Sequence, residues 1–227
     1  SQAGLDKVLL EHLGYDVSKH SLNLDAWKNL TNKINNLKKE VTIGVVGKYT
    51  NLKDSYKSLI EALNHGGIEN NVKVEINWIN AEKIKTSELV KELKSVDGIL
   101  IPGGFGYRGV EGKILAIKYA RENNIPFFGI CLGMQLSVIE IARNVFDLSD
   151  SNSTEFQPTK NPVVSLMTEW HNNNKIEKRD LYSDKGGTMR LGAYKAMLKK
   201  GSKVSKIYNA IEISERHRHR YEVDLTY

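Results

Sequence analysis

From Val41 onward the chain alternates between two hydrophobic rhythms. The stretch "VTIGVVG" (41–47) is an unbroken apolar run bounded by glycine, the pattern of a strand buried on both faces. "DSYKSLIEALNHGG" (54–67) then sets Tyr56, Leu59, Ile60 and Leu63 on one helical face, and Gly66 and Gly67 read as its stop. The exchange continues through a strand "VKVEINWI" (72–79), a helix "TSELVKELK" (86–94) and a strand "DGILIPGG" (97–104). A helix "EGKILAIKYARENN" (111–124), a strand "IPFFGI" (125–130) and a helix "LGMQLSVIEIARNV" (132–145) complete it. Strand followed by helix four times predicts an α/β fold, a mostly parallel open sheet with helices on both faces.

The flanks read differently. Before Val41, Leu5, Val8, Leu9, His12 and Leu13 share a helical stripe that Gly14 ends. "LNLDAWKNLTNKINNLKKE" predicts a second helix, with Asp25 as N-cap and Trp27, Leu30, Ile34 and Leu37 on one face. Residues 1–40 therefore read as a helical lead-in, a linker from a preceding domain or a docked N-terminal segment. After Phe146 the alternation breaks. "DLSDSNSTEF" (147–156) reads as a loop and "HNNNKIEKRDLYSDKGG" (171–187) as a turn or hairpin. The short runs "PVVSLM", "TMRLGAYKAML", "AIEISE" and "HRYEV" have strand character and predict antiparallel additions in the C-terminal third.

Composition narrows the setting. The 227 residues are 40% hydrophobic and 26% charged, enough for one large domain or a domain with an appendage. No apolar run approaches the ~18 residues a membrane helix needs. The N-terminus lacks the order of a signal peptide, and a single cysteine cannot form an internal disulfide. A reducing, cytoplasmic setting without a membrane partner is the expectation. The net charge of +6 is spread over lysines interleaved with acids. Its one dense cluster, "ERHRHRYE" (215–222), lacks the interleaved aromatics of a nucleic-acid surface, so no nucleic-acid partner is expected.

That single cysteine, Cys131, stands where a strand should end and a helix begin, with Gly129 and Gly133 two residues away on either side. Gly-Ile-Cys-Leu-Gly has the small-x-nucleophile-x-small form of a nucleophile elbow. A helix starting at Leu132 would turn free N–H groups toward the sulfur and favour thiolate. The Leu132 N–H would face an oxyanion, and Gly103 and Gly104 in "IPGGFGYRGVEG" could bring a second donor. The plain alternative for such a cysteine is a small core side chain, but that gives no reason for two flanking glycines. A phosphate-binding turn is the plain alternative for the loop, whose spacing fits neither the Walker nor the dinucleotide pattern.

"PGGFGYRGVEGK" followed by "IPFFGICLGMQ" resembles the class I (triad) glutamine amidotransferases. "NSTEF", "KGGTMRLGA", "ERHRHRYEV" and "VTIGVVGKYTNLKDSYKSLIEAL" narrow the resemblance to the C-terminal glutaminase domains of the CTP synthase family. It runs in order from Val41 to Val223, and "LNLDAW" resembles that family's interdomain linker. The resemblance implies a linker over 1–40 and a glutaminase domain over 41–227. It implies Cys131 as nucleophile and Gly104 and Leu132 as oxyanion donors. Gln135, Glu155 and Arg220 would hold the amino-acid end of L-glutamine, with Gly104, Phe105, Leu132, Gly133 and Met134 around it. The segment 105–112 would be the lid. This domain would need no cofactor. ATP and Mg2+ would belong to a separate synthetase domain that aminates UTP to CTP, with GTP as activator and a homotetramer as the full assembly.

One departure stands out. The family's catalytic base is a His-x-Glu pair, and no His-x-Glu occurs in this sequence. Strand alternation would put Arg216, Arg218 and Arg220 on one face and His217 and His219 on the other, so neither histidine is expected to be the base. The expectation is an incomplete domain whose base lies beyond Tyr227. The alternatives are another cysteine enzyme of this fold type, or a catalytically silent or regulatory amidotransferase-like module.

Overall fold

The computed structural model describes residues 3–19, 23–48, 50, 53–82, 86–166, 169–172, 175–178 and 189–227. The chain divides into two compact units, Ser1–Val41 with Lys57–Val74, and Thr42–Tyr56 with Glu75–Tyr227.

In the first unit, α1 (Leu5–His12) leaves its apolar stripe, Leu5, Val8 and Leu9, exposed. Helix α2 spans Asp25–Asn35 with Leu24 as N-cap. Asp25 is thus the first helical residue and not the cap: its own N–H is taken by the Asn23 side chain at 3.0 Å. Its carboxylate still faces the positive end of the helix. Helix α3 (Lys57–Glu69) runs straight through Gly66 and Gly67, against the stop read there. Gly67 serves a close approach instead. A Cβ on it would lie 2.7 Å from the Val72 carbonyl oxygen and 2.8 Å from Val74 Cγ2. The chain reverses two residues after the helix ends, at Asn71, with φ of 58°. Leu30, Ile34 and Leu37 face Ile68, Val72 and Val74 across a groove of about 700 Å³.

The second unit carries most of the central sheet. Strands β1 (Lys39–Gly47), β2 (Val72–Asn80), β3 (Gly98–Ile101) and β4 (Phe127–Gly129) stand in the order β2-β1-β3-β4. Strand β1 pairs β3, and β3 pairs β4, in parallel. Helices α4 (Thr86–Leu93), α5 (Val110–Glu122) and α6 (Leu132–Asn144) flank the sheet. Their apolar faces close one core with Val46, Ile79, Ile99 and Ile101. Between α5 and α6 the Arg121 guanidinium forks onto Glu140, Nη2 to Oε1 at 2.8 Å, and Glu140 is wholly buried.

The C-terminal third adds small sheets. Ser151–Ser153, read as loop, is a fully buried strand β5. It pairs in parallel with β6 (Asn161–Leu166), to which β11 (Tyr221–Val223) adds antiparallel. Polar side chains hid β5 because its partners, not its own apolarity, bury it: Arg143 Nε donates to the Ser151 carbonyl at 2.7 Å. A hairpin of β7 (Glu169–Asn172) and β8 (Lys175–Lys178) overlaps the stretch read as turn or hairpin, beginning two residues before it. Residues 179–188, including the "KGGT" of one motif, lie outside the described residues. Strand β9 (Arg190–Met197) pairs antiparallel with β10 (Glu212–His219), and a short helix α7 (Lys203–Tyr208) between them was not read in the sequence. Its N-cap is Ser202, whose hydroxyl accepts from the Ser205 N–H at 3.1 Å.

Candidate active site

Three chain segments leave the parallel sheet at the carboxyl ends of neighbouring strands: Lys48 after β1, Pro102–Gly104 after β3, and Cys131 after β4. That edge is where ligands gather in open α/β sheets. Cys131 has φ of 51° and ψ of −105°, a conformation disfavoured for any residue with a Cβ. The turn is over-determined by its neighbours. Ile130 N–H donates to the Ile101 carbonyl at 2.9 Å, and Gln135 N–H to the Cys131 carbonyl at 3.1 Å. The flanking glycines are required sterically. A Cβ on Gly129 would lie 2.5 Å from the Gly133 carbonyl carbon, and one on Gly133 only 2.2 Å from the Ile101 carbonyl oxygen.

The glycine loop runs alongside this turn. The Cβ position of Gly103 lies 3.4 Å from Cys131 Cβ, and that of Gly104 lies 3.6 Å from Leu132 Cδ2. The Leu132 N–H lies on the side of the Cys131 sulfur and favours its thiolate. The electrostatics differ from the thiolate expected at a helix start. Burial pushes the half-buried Cys131 thiol above its ordinary pKa, the Leu132 N–H pulls it back, and the Glu155 carboxylate pushes it up again.

Glu155, just past β5, fixes the loop that follows the glycines: its Oε1 accepts from Gly106 N–H at 2.8 Å. Its charge is felt at Cys131 and also at Tyr221. Burial raises the Tyr221 phenol first, Glu155 raises it further, and the Arg220 guanidinium lowers it. Cys131, Glu155, Tyr221 and Arg220 are therefore one electrostatic neighbourhood. Arg220 sits at the break between β10 and β11, not within a continuous strand, so the alternation expected through it stops at His219. Arg216 and Arg218 are exposed, whereas Arg220 is half-buried with its Nε enclosed and without a hydrogen-bond partner. His217 and His219 share the other, half-buried face of β10, as expected.

Of the remaining residues read from the sequence, Leu132 and Gly133 are buried in the first turn of α6, while Phe105 and Met134 are exposed, 50% and 44%. Gln135 is 5% exposed, and its Nε2 donates to the Tyr221 carbonyl at 2.8 Å, tying α6 to the Arg220 junction. The segment 105–112 is a loop only to Gly109, after which α5 begins. Sequence reading missed Tyr221 and Lys48, which donates to the Phe105 carbonyl. The position of Lys48 directly after β1 was the available signal. Lys48 also lines a recess of about 270 Å³ with Ser55, Tyr56, Lys113 and the loop Pro102–Phe105. No group of His, Cys, Asp and Glu among the described residues is placed to hold a metal ion.

Known proteins similar to this chain in sequence and fold identify its family. The profile of the family "Glutamine amidotransferase class-I" matches residues 51–226. A CTP synthase of Rhodopseudomonas palustris is 58% identical over 226 residues, 99% of this chain and 41% of that protein. One of Brucella anthropi is 56% identical over 224 residues, with 99% and 41% covered. The chain thus spans about two fifths of the length of these curated relatives. Among solved structures, a Trypanosoma brucei CTPS glutaminase domain with bound acivicin superposes with a TM-score of 0.71 at 41% identity, covering 82% of this chain and 69% of that one. The chain belongs to the class I glutamine amidotransferase family and is a glutamine amidotransferase domain of the CTP synthase type.

Proposed function

We propose that this chain hydrolyses L-glutamine through a Cys131 thioester and supplies the ammonia with which a CTP synthase aminates UTP. Cys131 Sγ attacks the carboxamide carbon, and the carbonyl oxygen becomes an oxyanion facing the N–H groups of Gly104 and Leu132. Collapse of the tetrahedral species breaks the C–N bond and releases ammonia, leaving the γ-glutamyl thioester. Water then cleaves the C–S bond to give glutamate and the free thiol. Glu155 pairs with the α-ammonium and Arg220 with the α-carboxylate, while Gln135 fixes the junction that carries Arg220. Phe105, Gly133 and Met134 border the substrate. The thiol proton must pass to a base, and this reading assigns none within the chain: His217 and His219 bond each other at 2.8 Å.

The ammonia would pass to a synthetase part of the same protein, which uses ATP and Mg2+ to activate UTP, with GTP as activator and a homotetramer as the assembly. We place the enzyme in the cytoplasm. No helix among the described residues is long and apolar enough to cross a membrane.

The observation that carries this reading is the strained Cys131 turn, φ 51°, set beside the glycine loop and within reach of the Glu155 charge. Incubation with 6-diazo-5-oxo-L-norleucine, a glutamine-like diazo-ketone, tests it by mass spectrometry. One adduct on Cys131, blocked by L-glutamine, is the expected result. Arg220→Ala should raise the half-saturating concentration roughly ten- to a hundredfold, the range of a lost charged hydrogen bond. Labelling elsewhere, or none under conditions where iodoacetamide alkylates Cys131, would leave the silent-module reading.

A further inference from the structure

The β10–β11 junction holds a cluster of side chains that the proposed reaction does not use. His217 Nδ1 and His219 Nε2 lie 2.8 Å apart, and His219 Nδ1 lies 3.2 Å from the Tyr221 carbonyl oxygen. That same oxygen receives Gln135 Nε2 at 2.8 Å. A carbonyl has two lone pairs, so the two donors together fix the Tyr221–Glu222 peptide, one residue beyond Arg220. One comes from α6, four residues after Cys131, and the other from β10.

We propose that His219, backed by His217, is a positioning residue for Arg220: it fixes the Tyr221 carbonyl and so aims the guanidinium that receives the substrate α-carboxylate. This rests on the reading of Arg220 as the carboxylate clamp. Arg220 needs outside positioning because it lies at a strand break, where no ladder partner among the described residues sets its direction, and its Nε is enclosed without an acceptor.

The chemistry of the ring nitrogens gives the arrangement a direction. To bond the Tyr221 carbonyl, His219 must carry hydrogen on Nδ1. Neutral His219 then presents a lone pair at Nε2, which His217 fills by donating from its own Nδ1. The pair can also take a single added proton on His217 Nε2, with one hydrogen still shared between the facing nitrogens. With both rings protonated, both facing nitrogens would be donors and the chain would break. The surroundings favour the uncharged ring at His217. Burial lowers the His217 pKa most, followed by Arg190 and His219, against weaker opposition from Glu222 and Glu215. Further groups facing the pair hold it from β9 and β11. The Tyr194 ring meets His217 edge-on at 5.3 Å, Arg190 lies 4.2 Å over Tyr194, and Glu222 binds Arg190 at 2.6 Å and approaches His219 Nε2 at 3.7 Å.

The test compares His219→Leu with His219→Asn, whose amide nitrogen stands where ring Nδ1 does. Cys131 labelling by 6-diazo-5-oxo-L-norleucine is followed as a function of reagent concentration. His219→Leu should raise the half-saturating concentration roughly fivefold, the worth of one hydrogen bond, with the limiting rate unchanged. His219→Asn should stay within about twofold of the parent, and His217→Leu should fall between. An unchanged half-saturating concentration in His219→Leu, a loss confined to the limiting rate, or no rescue by Asn would overturn the proposal. A second readout needs no ligand. The Arg220 Nε–H resonance in NMR spectra should move in His219→Leu and hold its place in His219→Asn. A resonance indifferent to both variants overturns the positioning role. A resonance that responds as expected in a chain that never takes the diazo-ketone leaves the relay standing and condemns the substrate reading instead.

Discussion

At Cys131 the backbone and the surroundings act in opposite senses. The strained turn presents the sulfur to the Leu132 N–H, while burial and Glu155 hold the thiol protonated. The thiolate fraction should therefore still be climbing at pH 9 in this chain. Iodoacetamide alkylation of Cys131, followed against pH, should show a midpoint above the ordinary thiol range. Glu155→Gln keeps an acceptor for Gly106 N–H and removes the charge, so the midpoint should move down. A plateau reached below pH 8 would show that the fold favours the thiolate. A second buried group, Lys113, is 2% exposed and has its pKa lowered to about 8, first by burial, then by Lys48, with Glu82 opposing. The unfolded chain holds that proton to about 10.5, so folding is penalised in full below pH 8, and the penalty fades as pH rises toward 10.5. Lys113→Met should stabilise the chain by roughly 1–3 kcal/mol at pH 7, with the gain shrinking by pH 10. Denaturant melts at the two pH values decide it. Sequence reading could find Cys131 and its glycines because a one-residue turn leaves a one-residue pattern. It could not find the Lys113 burial, since on a helix of mixed polarity nothing marks one lysine as the inward one.

Among elements, the join of α5 to α6 rests on a charge pair that hydrophobic pattern could not announce. Glu140 is fully buried and Arg121 reaches it with Nε and Nη2, at 3.0 Å and 2.8 Å for the shortest contact of each. Removing the arginine leaves a carboxylate in the core, so Arg121→Leu should cost about 3–5 kcal/mol. Arg121→Leu combined with Glu140→Leu should recover most of that loss, because no uncompensated charge remains. Additive costs in a double-mutant cycle of denaturant melts would refute this coupling. Strands β1 and β3 and helices α4, α5 and α6 were legible because each buries a continuous apolar face. Strand β5 was not, because Ser151, Asn152 and Ser153 are buried by pairing with β6 and by Arg143. The glycines of α3 misled because a glycine that lets a strand approach looks, in one dimension, like one that ends a helix.

For the molecule as a whole, the α/β order and the family were readable from motifs, and the catalytic base was not, since no His-x-Glu occurs in the sequence. The division of labour proposed above makes a distinction that binding and stability cannot. If this chain only prepares ammonia, the amination of UTP is separable from Cys131. In a protein carrying this chain together with its synthetase part, Cys131→Ala should abolish CTP formation from L-glutamine. The same variant should keep CTP formation from added ammonium salt within about twofold of the parent, since the thiol touches neither UTP nor ATP in this scheme. The ammonium-driven rate should rise with pH as free ammonia increases, with the same slope in parent and variant. Loss of both activities would mean that Cys131 supports the whole assembly and not one reaction in it. Retention of both would remove Cys131 from the chemistry altogether, and with it the reason for two glycines so tightly enclosed that neither leaves room for a methyl group.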